Sequence, residues 1–163
     1  MRRTLLALVF SLVLSTIPQL ALAATYADAV SGFEIFATPT LGVFTGRAAG
    51  SLPGAWTAAV VHTPLSAAPA VITGGSFTLL SGSGADAIAV RGTFSGGSVT
   101  QTSGSTGCVN QTYDVVGALS GVGPGGGTGT GTFAATLTHF NIAFFGHCIT
   151  YRATVNGSVT LSF

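Results

Sequence analysis

The chain has no lysine, and its ionic charge is limited to five arginines and four acids among 163 residues. So little positive charge excludes a nucleic-acid surface, which needs a basic patch or stripe. The missing Lys also removes a phosphate-cradling P-loop. The Glu and Lys on which coiled coils and helical bundles depend are likewise all but missing, a single Glu and no Lys. Disorder is excluded from the opposite direction, because 47% of the residues are apolar and chains that stay unfolded combine few apolar residues with much charge. What is abundant is Gly, 24 residues, together with Thr and Ser, a composition that favours turns and strands.

Arg2 and Arg3 precede an apolar run from Leu5 to Leu14, followed by Pro18 and then Ala21-Leu22-Ala23. These are the charged, apolar and small-residue regions of a secretory signal, with the cut expected after Ala23. The apolar run is too short to cross about 30 Å of hydrocarbon at 1.5 Å per residue, so no stable transmembrane helix is expected. Residues 24–163 are then a single mature domain, secreted to an extracellular or periplasmic space. That domain carries Arg47, Arg91 and Arg152 against Asp28, Glu34, Asp86 and Asp114, too little charge to steer a charged partner over a distance. Cys108 and Cys148 are the only cysteines; in an exported chain they are expected to form one disulfide.

No stretch after Ala23 keeps a 3.6-residue period, whereas period-two alternation bounded by Gly, Ser and Pro recurs. Ten strand segments are predicted: 32–38, 42–47, 55–62, 76–80, 87–94, 98–102, 112–119, 130–140, 147–155 and 159–163. Their short, local connections predict an all-β antiparallel meander without substantial helix. A small barrel of about eight to ten strands is preferred to a sandwich. Gly121 to Gly131 reads as a low-complexity connection between strands.

Matching apolar faces sets an expected register for the last third. A three-residue loop, Asn156-Gly157-Ser158, would pair Val155 with Val159, Ala153 with Leu161 and Tyr151 with Phe163. Arg152, Thr154, Thr160 and Ser162 would then share the other face. Pairing Leu137 with Ile149 would set His139 opposite His147. The interior would be lined by Phe133, Leu137, Ile149, Tyr151, Val155, Leu161 and Phe163, and the disulfide would cross the outside of the sheet.

Gly121, Gly123 and Gly126 have the G-x-G-x-x-G spacing, but no helix follows them and no acid occurs after Asp114, so neither the pyrophosphate nor the ribose of a dinucleotide has a partner. No Ser sits in G-x-S-x-G, and no spacing brings two carboxylates together for glycoside chemistry. A metal on His139 and His147 would want His62 or an acid as a further ligand, and no metal or cofactor is expected. His139, His147 and Tyr151 are the candidate ligand contacts, at the mouth of a barrel. Asn110-Gln111-Thr112 and Asn156-Gly157-Ser158 match the N-glycosylation pattern. Gly54-Ala55-Trp56 resembles the G-x-W that opens the first barrel strand of lipocalins, with Arg152 in a late strand. Trp56 follows two earlier strands, however, and the terminal helix of that family is missing, so no ligand-binding residue is carried over.

The function expected from these residues is a secreted, non-enzymatic β module, binding or structural, holding a small apolar ligand if its interior is partly open. Two alternatives stand beside it: a small outer-membrane barrel with its apolar face towards lipid, and a cavity isomerase or hydrolase using His139 and His147 as acid and base.

Overall fold

The structure is a computed structural model that describes residues 23–66, 69–84, 87–104 and 106–163. Residues 1–22 of the expected signal, and Asp86, lie outside the described residues. Eight strands follow one another: β1 (Thr25–Thr38), β2 (Leu41–Gly50), β3 (Gly54–His62), β4 (Ala70–Ser81), β5 (Ile88–Ser103), β6 (Gln111–Val122), β7 (Thr128–Phe144) and β8 (His147–Ser162). Each pairs antiparallel with its predecessor, and β8 returns to β1, so the expected antiparallel sheet closes into a barrel. Among the described residues the one helical element is a 3-10 turn at Pro124–Gly126.

The ten predicted segments become eight strands because two interruptions are bridged. The segments ending at Phe94 and starting at Ser98 are one strand, β5, with an irregularity between Phe94 and Gly96. The segments around Asn156-Gly157-Ser158 are also one strand, β8. That triplet is therefore no hairpin loop: Val155 pairs with Leu137 on β7 and Gly32 on β1, and Val159 with Phe133 and Asp28. The reason is Gly157, where a Cβ would collide with the Ala134 carbonyl and the Ala135 side chain of β7. Here Gly marks close backbone approach within a strand rather than a turn. The connection expected at Gly121 to Gly131 shortens to Gly123–Gly127, since β6 runs to Val122 and β7 begins at Thr128.

Alternation divides the barrel into an apolar inside and an outside where Thr and Ser stand among exposed apolar residues such as Val71, Leu80 and Val116. Val30, Phe44, Trp56, Ile72, Leu79, Val90, Phe94 and Leu161 point inward and are buried. Thr57, Thr93, Thr132, Thr136 and Thr160 stand on the exposed wall. Each fully buried aliphatic side chain contributes about 1.5–3 kcal/mol. Phe94 stacks edge-on between Phe77 and Phe133, at 6.2 and 6.1 Å. A spanning barrel shows the reverse alternation, apolar towards lipid and polar within.

One glycine pair marks a close backbone approach between β1 and β2. Gly32 on β1 is opposite Gly46 on β2, and a Cβ on Gly46 would strike the Ser31 carbonyl and come within 2.8 Å of Trp56 Nε1. That indole N–H donates to the carbonyls of Ser31, at 3.2 Å, and Arg47, at 3.1 Å, so Trp56 is bolted to the two strands where they approach most closely. Arg152 lies on the outer wall, as its sequence pattern predicts, and not beside the buried Trp56 as in the lipocalin arrangement.

Candidate functional site

The two ends of the barrel are built differently. At one end, β1 and β8 stay paired to Thr25 and Ser162, and Asp28, buried, accepts a 2.8 Å hydrogen bond from the Leu52 N–H in the β2–β3 turn. At the other end the β1–β8 pairing stops at Phe33 and Thr154. Beyond it, β1 keeps only β2 as a neighbour and β8 keeps only β7. A cleft of about 230 Å³ opens between Glu34–Ala37 and Thr150–Ala153.

Inside this end lies an apolar cavity of about 60 Å³, bordered by Phe44, Ala58, Val60, Leu137 and Val155, with His62 also in its lining. Glu34, Ala37 and His139 belong to both the cavity and the outer cleft, so they form the partition between them. Deeper in the barrel a second apolar void of about 40 Å³ is separated from the first by Trp56, Ala58, Phe94 and Phe133, which touch both. The lumen is thus mostly filled, with free space concentrated behind the partition.

The partition is polar although its surroundings are not. His139 Nε2 is 2.9 Å from Glu34 Oε2, and both side chains are nearly buried, 13% and 9% exposed. Nε2 nevertheless has no aligned hydrogen-bond partner, so the contact is a close approach rather than a directed N–H···O bond. The Tyr113 ring packs on the imidazole at 5.3 Å, and its hydroxyl donates to Gln111 Oε1 at 3.0 Å. Burial pushes the Tyr113 hydroxyl above its ordinary pKa, and the nearby Glu34 carboxylate adds to the rise. His62 Nδ1 is 2.8 Å from the Thr63 carbonyl oxygen; a carbonyl only accepts, which leaves Nε2 as the acceptor nitrogen.

The expected pairing of His139 with His147 is overturned. His139 is opposite Ala153, while His147 is opposite Phe144 beside the two-residue turn Phe145-Gly146. Both turn residues have positive φ, 46° and 78°, the geometry of a tight hairpin. Leu137, expected opposite Ile149, is opposite Val155. The register slips at Phe140/Asn141, which leaves Tyr151 unpaired and 64% exposed in the outer cleft, and places Ile149 on the projecting hairpin. Neither therefore lines the interior, while Phe133, Leu137, Val155, Leu161 and Phe163 do pack against the core. His139 alone of the histidine pair reaches the cavity.

That projecting hairpin, residues 141–150, is tied to the β5–β6 loop. Cys108 and Cys148 form the expected disulfide, with Cα atoms 5.3 Å apart. Asn141 donates its backbone N–H to Asn110 Oδ1 and its amide to the Val109 carbonyl, at 3.1 and 2.8 Å. The link thus joins a loop to a hairpin beyond the barrel end rather than crossing the sheet. Asn110 of the first glycosylation pattern is engaged in this clamp, and Asn156 of the second stands within β8.

Among the described residues no three His, Cys, Asp or Glu side chains gather as metal ligands, and no helix is long and apolar enough to cross a membrane. Sequence reasoning missed Glu34 as the partner of His139. Its signal was a lone acid amid Phe33, Ile35 and Phe36. No family model, curated protein or solved structure matches the chain.

Proposed function

We propose that the protein is an exported, non-enzymatic barrel that holds a small apolar ligand, admitted through the opening between β1 and β8. The observation that carries this reading is the apolar cavity whose lining shares the polar residues Glu34 and His139 with the outer cleft. The cavity is far below the roughly 300–1,000 Å³ of sites for drug-sized ligands. Its occupant is then a very small molecule, or the alkyl end of one whose remainder rests in the cleft against Ile35, Phe36 and Tyr151, all exposed. Export is supported by the signal-like start and by the disulfide, which suits an oxidising compartment. The separation of His139 from His147 removes the acid–base pair on which an isomerase or hydrolase reading depended, and the inward apolar face argues against insertion in an outer membrane.

Trp56 is the sole tryptophan and borders both voids, so its fluorescence reports occupancy. Titration of the purified protein with straight-chain alcohols of increasing length is expected to give a saturable change that strengthens until the chain outgrows the cavity. A response that stays linear for every chain length would remove the ligand reading. It would favour the second one, a filled structural module working through its hydroxyl-rich wall, for which the small size of both voids speaks.

A further inference from the structure

Three arginines fall within residues 24–163, and two of them border one groove of the outer wall. Arg47 on β2 is opposite Ser31 on β1, which is opposite Asn156 on β8. Two residues further along, Phe33 is opposite Thr154. A groove of about 440 Å³ runs over this β2–β1–β8 surface, bordered by Ser31, Phe33, Arg47, Arg152, Thr154 and Asn156, with no carboxylate among its lining residues.

Among the described residues no carboxylate pairs with an arginine, the one close acid–base contact being that of His139 with Glu34, and neither Arg47 nor Arg152 donates a side-chain hydrogen bond. Glu34 and Arg152 both border the neighbouring cleft, yet Glu34 is held on the inner side against His139. Arg152 is nonetheless positioned, its guanidinium lying over the Phe33 ring at 5.3 Å and the Phe140 ring at 5.9 Å. Beneath the groove, the Trp56 indole fixes the carbonyls of Ser31 and Arg47 from inside the barrel. A planar fork with five N–H donors, stacked on aromatic faces and lacking a carboxylate, is suited to bidentate capture of an oxyanion.

We propose that this groove binds an oxyanion group, a carboxylate or a phosphate or sulfate ester, carried by a small ligand. Arg47 and Arg152 grip it from two strands, while the Ser31 and Thr154 hydroxyls and the Asn156 amide supply further donors, and the exposed Phe33 ring offers a face to whatever carries the anion. The site lies on the wall and does not depend on occupancy of the lumen.

The test is nitrogen-15 NMR of the arginine side chains in the purified protein. Few arginines make every Nε–H signal assignable, and acetate, inorganic phosphate and sulfate are titrated separately at constant ionic strength set with chloride. The Arg47 and Arg152 signals are expected to move saturably with at least one of these anions while Arg91 stays in place. Saturation by acetate identifies a carboxylate site, and saturation by phosphate or sulfate a tetrahedral one. R47Q is expected to weaken binding by about tenfold or more, the loss of one charge-assisted fork, with R91Q unchanged. R152K keeps the charge but not the fork, and is expected to weaken binding less than R47Q does. Shifts that do not saturate with any of the three anions, that include Arg91 equally, or that are weakened as much by R91Q as by R47Q would overturn the site.

Discussion

Ala58 offers the most direct test of the free space inside the barrel. Its side chain points inward from β3 and touches both the 60 Å³ and the 40 Å³ voids. Ala58→Val adds two methyl groups where the structure has room for them. At about 0.8 kcal/mol per buried carbon, the added burial contributes about 1.6 kcal/mol. Filling 60 Å³ at about 24 cal/mol per Å³ gives about 1.4 kcal/mol, so two independent estimates agree. Val also suits a strand better than Ala. After some loss to imperfect fit, a net gain of about 1 kcal/mol is expected. With about 2.1 cal/mol/K of unfolding entropy per residue over about 140 residues, this raises Tm by about 3–4 °C. Urea unfolding followed by Trp56 fluorescence should show a higher midpoint at unchanged slope, and the alcohol response should be lost with it. A fall in stability of about 1 kcal/mol or more, the signature of overpacking, would mean that the space beside Ala58 is not free. Unaltered alcohol binding in a stabilised Ala58→Val variant would place the ligand outside the lumen.

Three further outcomes follow from other parts of the fold. Replacing Cys108 and Cys148 together by Ser opens a loop of 40 residues and is expected to cost about 4 kcal/mol in the chain-entropy account, lowering Tm by about 13 °C; a drop of only 1–2 °C would show that the hairpin beyond the barrel opens before the rest unfolds. Gly46→Ala drives a Cβ into the Ser31 carbonyl and towards the Trp56 indole and is expected to cost about 3 kcal/mol, whereas Gly74→Ala, with nothing within 4 Å of the added carbon, should stay within about 0.5 kcal/mol; equal effects in thermal unfolding would refute the close approach. Tyr113, held neutral chiefly by burial and secondarily by Glu34, should ionise above the ordinary tyrosine range in an ultraviolet titration. Because its folded pKa is raised, its contribution to stability is fully present below about pH 10, the unfolded value, and is lost as pH rises through the folded one. Glu34→Gln should bring the Tyr113 titration part of the way back, and a Tyr113 that ionises in the ordinary range in the parent protein would contradict the assignment.

The class of fold was legible because period-two alternation and short connections survive any local misreading. The inward set of β8 was legible for a subtler reason. Val155 and Val159 are four residues apart and keep the same parity whether a three-residue loop or continuous strand lies between them, so Ala153, Val155, Leu161 and Phe163 face the core although their partners were misassigned. Pairing itself was not legible, because it hangs on turns. Asn156-Gly157 has the composition of a turn but lies in a strand, and the true β7–β8 turn, Phe145-Gly146, puts a Phe at positive φ, where bulky side chains are rarely found. Once that turn is missed, the register shifts and His147 is drawn falsely towards His139. At the open end alternation and side-chain chemistry conflict: the parity set by the buried Asp28 and Val30 sends Glu34 inward and Phe33 and Ile35 outward, so that Phe33 and Ile35 are exposed and Glu34 is nearly buried.

That conflict indicates which end of the barrel does the work. A carboxylate costs several kcal/mol to bury without good partners, and exposed Phe or Ile side chains forgo the burial that stabilises the rest of the fold. Both occur together where β1 and β8 part. At the paired end the buried acid, Asp28, is satisfied by the Leu52 N–H, and the aromatic residues Tyr26 and Phe163 pack against one another at 6.1 Å, although Leu80 and Ile88 are exposed there too. Folding alone would favour closing the seam as tightly at both ends. The open end keeps Glu34 beside an imidazole that it does not properly hydrogen-bond and sets Ile35, Phe36 and Tyr151 around the entrance, so its residues suit contact with another molecule better than contact with the rest of the barrel. Glu34→Leu separates the two purposes: relief of carboxylate burial should leave the protein at least as stable, while the balance of polar and apolar contacts at the entrance, and with it the chain-length preference among the alcohols, should change. A variant that unfolds more easily than the parent would instead make Glu34 a structural partner of His139.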